Sequence, residues 1–171
     1  MRWSAVVGYG VGYGLVLSLF FTAAVFAGAA ASRDFLLDDY PPAIQRRYGK
    51  PKSARGRRVA TLFGVFVWGV CGLPLMTAAM IGLDGALADG LEFLPAAVCA
   101  ALVFATLTAW DLVVLDWMVL AGLRPRLLVL PGTEGMAEYR DLRFHLNAAL
   151  KGSPVILVVG LLTGGIAALV R

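Results

Sequence analysis

Four long apolar stretches leave this chain few folds to choose from. Crossing the hydrocarbon core of a bilayer as a helix takes about 20 apolar residues. Segments that reach or approach that length occupy residues 3–32, 59–83, 93–121 and 154–170. In hydrocarbon each backbone donor and acceptor has to be satisfied internally, so such stretches form helices rather than open strands. The expected fold is therefore all-α: a polytopic membrane protein with four transmembrane helices. It is one membrane domain over 1–171, with polar loops at 33–58 and 122–153.

Charge sets the expected orientation. The first gap carries Arg33, Arg46, Arg47, Lys50, Lys52, Arg55, Arg57 and Arg58, and the third carries Arg124, Arg126, Arg140, Arg143 and Lys151. The middle gap holds only the acidic Asp84, Asp89 and Glu92. Loops rich in Lys and Arg stay cytoplasmic, which places the first and third loops inside and both termini outside. Ala-, Gly- and Arg-rich usage points to a bacterial inner membrane. The first stretch exceeds the apolar core of a secretory signal, about 7–15 residues. Cleavage at Ala29-Ala30-Ala31-Ser32 would also leave the basic loop outside, so the stretch is expected to remain as a span. The net charge of +4 comes from residues flanking apolar spans, with no aromatic-rich soluble module, and no nucleic-acid partner is expected. Cys71 and Cys99 fall inside spans without a CxxC pattern and read as buried, inert thiols.

Small residues mark where helices approach closely. Gly8/Gly12, Gly10/Gly14, the ridge Ala23, Ala27, Ala31 and the pair Gly160/Gly164 are all spaced by four. Such faces serve a bundle, a homo-oligomer or a membrane partner subunit. Pro74 is expected to kink the second span, while Pro95 sits in the first turn of the third, where proline is tolerated. Ser153-Pro154 reads as the N-cap and first residue of the fourth. Just before it, residues 136–151 read as an amphipathic cytoplasmic helix with Tyr139, Leu142, Leu146, Ala149 and Leu150 on its apolar face. Such a helix lies in the membrane interface or docks on the bundle.

Candidate chemistry is sparse. Asp111 and Asp116 are the charged residues well inside a span, where a charge costs about 2.5–3.5 kcal/mol on insertion scales and needs a partner or a task. On an α-helix, five residues separate them by about 140°, so they reach one site only if the helix is distorted. Asp116 has Arg124, Arg126 or the Arg57/Arg58 pair as expected partners. Glu138, Asp141 and His145 share a face at spacings of three and four, a candidate divalent-metal set that Asp38, Asp39 and Asp116 would complete. The competing reading is ordinary helix stabilisation by such pairs. Arg55, Arg57, Arg58, Arg124 and Arg126 are candidates for binding anionic lipid headgroups or phosphate, at about 1 kcal/mol per charge near the surface. GxSxG, HExxH and P-loop patterns are absent, as is the paired-aspartate spacing of membrane prenyl- and phosphatidyl-transferases.

The segments Leu37-Asp38-Asp39-Tyr40-Pro41-Pro42-Ala43-Ile44-Gln45-Arg46-Arg47-Tyr48-Gly49 and Pro131-Gly132-Thr133-Glu134-Gly135, with Tyr139-Arg140-Asp141 and Phe144-His145, resemble a group of small bacterial four-helix integral membrane proteins. The resemblance covers under a third of the chain and carries no activity with it. It implies that the two loops form one shared cytoplasmic face. Three functions are compatible with these features. The leading one is an accessory or scaffolding protein whose basic face binds anionic lipid or a partner. The others are a metal- or acid/base-dependent enzyme acting on a lipid or small substrate at the cytoplasmic interface, and ion or proton translocation through Asp111 in an oligomer. In the enzyme His145, Asp141, Glu138 and Asp116 would bind a metal or move protons, Arg124 and Arg126 would hold a phosphate, and Asp111 is a further catalytic candidate.

Overall fold

The computed structural model describes residues 2–88 and 90–170; Met1, Arg171 and Asp89 of the middle gap lie outside the described residues. All regular structure among the described residues is helical. Four helices are long and apolar enough to cross a membrane: α1 (Trp3–Ala31), α3 (Ala54–Ala86), α4 (Phe93–Leu123) and α5 (Leu142–Val170). A short helix, α2 (Pro42–Tyr48), and two 3-10 turns, Leu37–Asp39 and Ala137–Arg140, lie in the first and third gaps.

Helix α4 is the central element, and glycine lets its neighbours reach it. A Cβ on Gly10 would come within 2.6 Å of Leu102 Cβ, and one on Gly14 within 2.6 Å of Thr106 Cβ. On the other side, a Cβ on Gly160 or Gly164 would meet the Ala97 and Phe93 carbonyls at 2.9 and 2.7 Å. Both glycine pairs are thus used inside the bundle, clamping α1 and α5 to α4. Gly8 and Gly12, on another side of α1, have nothing within 4 Å. Helix α3 packs mainly on α1, where Tyr9 lies over Gly82, and meets α4 only lightly.

Helical geometry departs from expectation in four places. Residues Val65–Gly72 of α3 and Asp111–Leu123 of α4 are wound as π-helix, in which each N–H reaches back five residues. The first of these segments ends just before Pro74, which lacks the N–H that a regular helix requires, and α3 runs through the proline. The amphipathic stretch expected over 136–151 breaks at Asp141, whose carboxylate accepts from Phe144 N at 3.0 Å and starts Leu142–Gly152. Nor is Ser153 an N-cap. It keeps helical dihedrals, and its hydroxyl donates to Leu150 O at 2.8 Å. That bond serves the carbonyl which Pro154, lacking an N–H, leaves open. The amphipathic turns therefore continue into the apolar part as one helix, α5.

The two basic gaps fold together. Phe35, Leu37, Tyr40 and Ile44 from the first share a core with Leu128, Val129, Leu130 and Tyr139 from the third, over Leu115 and Leu120 of α4. Tyr40 Oη donates to Leu128 O at 2.6 Å, and Tyr139 Oη accepts from Leu130 N at 3.0 Å. Burial pushes the Tyr40 phenol well above its ordinary pKa, keeping it a neutral donor. Asp34 fastens the start of α3 to this layer. It accepts from Ser32 Oγ and Ser53 N, each at 2.6 Å, and from Ser53 Oγ at 3.2 Å.

Candidate functional site

Because α3 lies on α1 while α5 lies on α4, the space between α3 and α5 is left open over α4. A cavity of about 1000 Å³ occupies it. Phe63, Trp68, Leu73 and Met76 of α3 form one wall, and Val155, Ile156 and Val159 of α5 form the other. Phe104, Leu107, Thr108, Asp111, Leu115 and Asp116 of α4 form its floor, and Asp38, Asp39 and Tyr40 of the first gap close one end. Trp68 stacks on Phe104 with ring centroids 5.7 Å apart. Leu73 and Val155, on opposite walls, are 68% and 52% exposed, so the cavity is a cleft open to the side between α3 and α5.

The polar end is built by the π-helical turn of α4. Residues five apart are hydrogen-bond neighbours in such a helix and share a face, so Asp111 and Asp116 both line the cleft. This is the distortion that their spacing requires. His145 arrives from α5, 4% exposed, and its Nδ1 lies 3.2 Å from Asp116 Oδ1. The expected partner of Asp116 was an arginine; the imidazole stands there instead, because α5 extends past Pro154 and carries His145 down against α4. Nδ1 is the ring nitrogen that faces the carboxylate. Nε2 is buried and has no hydrogen-bond partner among the described residues.

Asp39 completes the group. Burial raises its pKa; Lys52 opposes the shift, while Asp38 and Asp116 add to it. Lys52 itself is paired with Asp38 at 2.7 Å. Asp34 moves the other way: burial raises it, but the hydrogen bonds from Ser32 and Ser53 outweigh burial and hold its pKa low.

The remaining predicted residues are dispersed. Glu138 sits on the 3-10 turn and Asp141 caps α5, so neither converges on His145. Among the described residues no group of three or more His, Cys, Asp or Glu side chains is arranged to hold a metal ion. Arg55, Arg57 and Arg58 are exposed on the first turns of α3. Arg124 and Arg126 do converge, joining Arg33, Glu134 and Tyr139 around a second pocket of about 550 Å³. Arg124 ends α4 in the left-handed conformation, φ 46°, which turns the chain into that pocket. The aromatic wall at Phe63 and Trp68 had no sequence signal of its own; both residues look like ordinary span residues until α3 and α5 separate. No protein-family model, curated protein or solved structure matches the chain.

Proposed function

We propose that this is a multi-pass membrane protein that receives an amphiphile in the cleft between α3 and α5. The apolar chain lies along Trp68, Met76, Leu107 and Ile156, and the polar head meets Asp39, Asp116 and His145. The supporting observation is the cleft itself, which joins a long apolar wall to one cluster of ionisable groups at the loop end. The bilayer setting follows from the outer surface. Only 11–33% of the residues in the most apolar window of each long helix are buried, and the side chains outside include Leu62, Ile81, Leu161 and Leu169. Hydrocarbon solvates such a surface and water does not. Both termini lie outside and the loop layer is cytoplasmic by the charge rule, in a bacterial inner membrane. The Asp116–His145 pair is the arrangement that orients an imidazole for proton transfer, which favours acid–base work on the head over a purely structural role.

A second reading rests on the other pocket. Arg33, Arg124 and Arg126 around one cavity support an anionic headgroup on the cytoplasmic face, consistent with an accessory or scaffolding role. The test of the main reading is native mass spectrometry of the protein released from its own membrane in mild detergent. One retained amphiphile per chain is expected in the wild type, and none in Thr108→Trp, which fills the cleft floor. Retention unchanged by that substitution would place any bound lipid elsewhere and end the cleft reading.

A further inference from the structure

The head that this cleft accepts is constrained by what its polar end offers. Asp39, Asp111 and Asp116 contribute carboxylates, and His145 lines the same end with its Nδ1 turned to Asp116 and its Nε2 buried and unpartnered among the described residues. No arginine or lysine lines the cleft among the described residues, and the nearby Lys52 is bound to Asp38. The site is therefore rich in acceptors and negative charge and short of donors. A phosphate or carboxylate head would add like charge to a partly desolvated site, and an uncharged alcohol brings one donor. An ammonium brings three donors and the missing positive charge. Aromatic faces at Phe63, Trp68 and Phe104 along the way tolerate a passing cation.

Building on the amphiphile reading above, we propose that the cleft is selective for a lipophilic amine. Such a molecule is a hydrocarbon chain ending in a primary ammonium, with no phosphate beside it, and the ammonium sits at the carboxylates of Asp39 and Asp116. An aminophospholipid does not fit this description, because its phosphate would lie among the same carboxylates.

The experiment uses the full chain in phosphatidylcholine nanodiscs, titrated separately with dodecylamine, 1-dodecanol and dodecyl phosphate. Binding is followed by native mass spectrometry and by tryptophan fluorescence. One dodecylamine per chain is expected, with an affinity at least tenfold above that of dodecanol and with dodecyl phosphate weakest. Asp116→Asn, and separately Asp39→Asn, should each reduce the preference for amine over alcohol at least threefold. Equal affinity for all three heads, or a preference for the phosphate, overturns amine selectivity while leaving the cleft in place. Binding of none of the three, with Thr108→Trp behaving as wild type, overturns the cleft reading itself.

Discussion

Asp34 shows how much one side chain on the loop layer holds together. Its carboxylate ties Ser32 at the end of α1 to Ser53 at the start of α3, and a Cβ on Gly56 would lie 2.5 Å from its Oδ1. Asp34→Ala should lower stability by about 2–3 kcal/mol through the lost charged hydrogen bonds, read from thermal unfolding in detergent. Its folded pKa is depressed, so this contribution is complete above the unfolded value, about 3.9. It disappears as pH falls through the folded one, and the gap between variant and wild type should close at acid pH. Asp39 has the opposite sign. Its folded pKa is raised, so its ionisation opposes folding increasingly as pH rises from the unfolded value through the folded one. Asp39→Asn should therefore raise the thermal midpoint at pH 7 and make no difference below about pH 3.9; a lower midpoint at pH 7 would contradict the assignment. The residue pattern alone marked Asp111, Asp116 and His145 as worth attention, because charge inside an apolar run is conspicuous. It gave no sign of Asp34, whose partners are hydroxyls and a backbone N–H that no spacing rule singles out.

At the scale of the helix, glycine and proline decide the geometry. Gly14→Ala should loosen α1 from α4 and cost about 1–3 kcal/mol, because its Cβ would meet Thr106 Cβ at 2.6 Å and Val103 O at 2.9 Å. Gly12→Ala, on an open face, should be neutral or slightly stabilising. Comparing the two thermal midpoints separates close packing from helix propensity, and equal losses would mean that the outer face is also covered. The four-residue glycine spacings were legible in the sequence, but which pair faces inward was not, since both have the same period. The π-helical turns were less legible still. Asp111 and Asp116, about 140° apart on a regular helix, need a distortion to meet, yet nothing local in the sequence says that the distortion is there. The continuity of α5 through Pro154 was hidden for a similar reason: a serine before proline signals a helix start, and here the same hydroxyl repairs the helix instead.

At the scale of the molecule, the number of long apolar helices was readable from hydropathy, since length and apolarity are all that spanning requires, while the fourth helix begins well before the expected 154–170. The cleft was not, because it arises from which helices stay apart. Orientation is directly testable. A cysteine introduced as Glu134→Cys in the loop layer should resist a membrane-impermeant maleimide in intact cells and react after permeabilisation. Cys71 and Cys99, both buried, should stay unlabelled throughout. Labelling of residue 134 in intact cells would invert the topology.

The sideways opening between α3 and α5 has one more consequence. In the bilayer setting proposed above, a molecule reaching the head cluster by that route diffuses in two dimensions and never passes through water. Occupancy then follows its mole fraction in the leaflet, so a poorly soluble compound at a vanishing aqueous concentration can still saturate the protein.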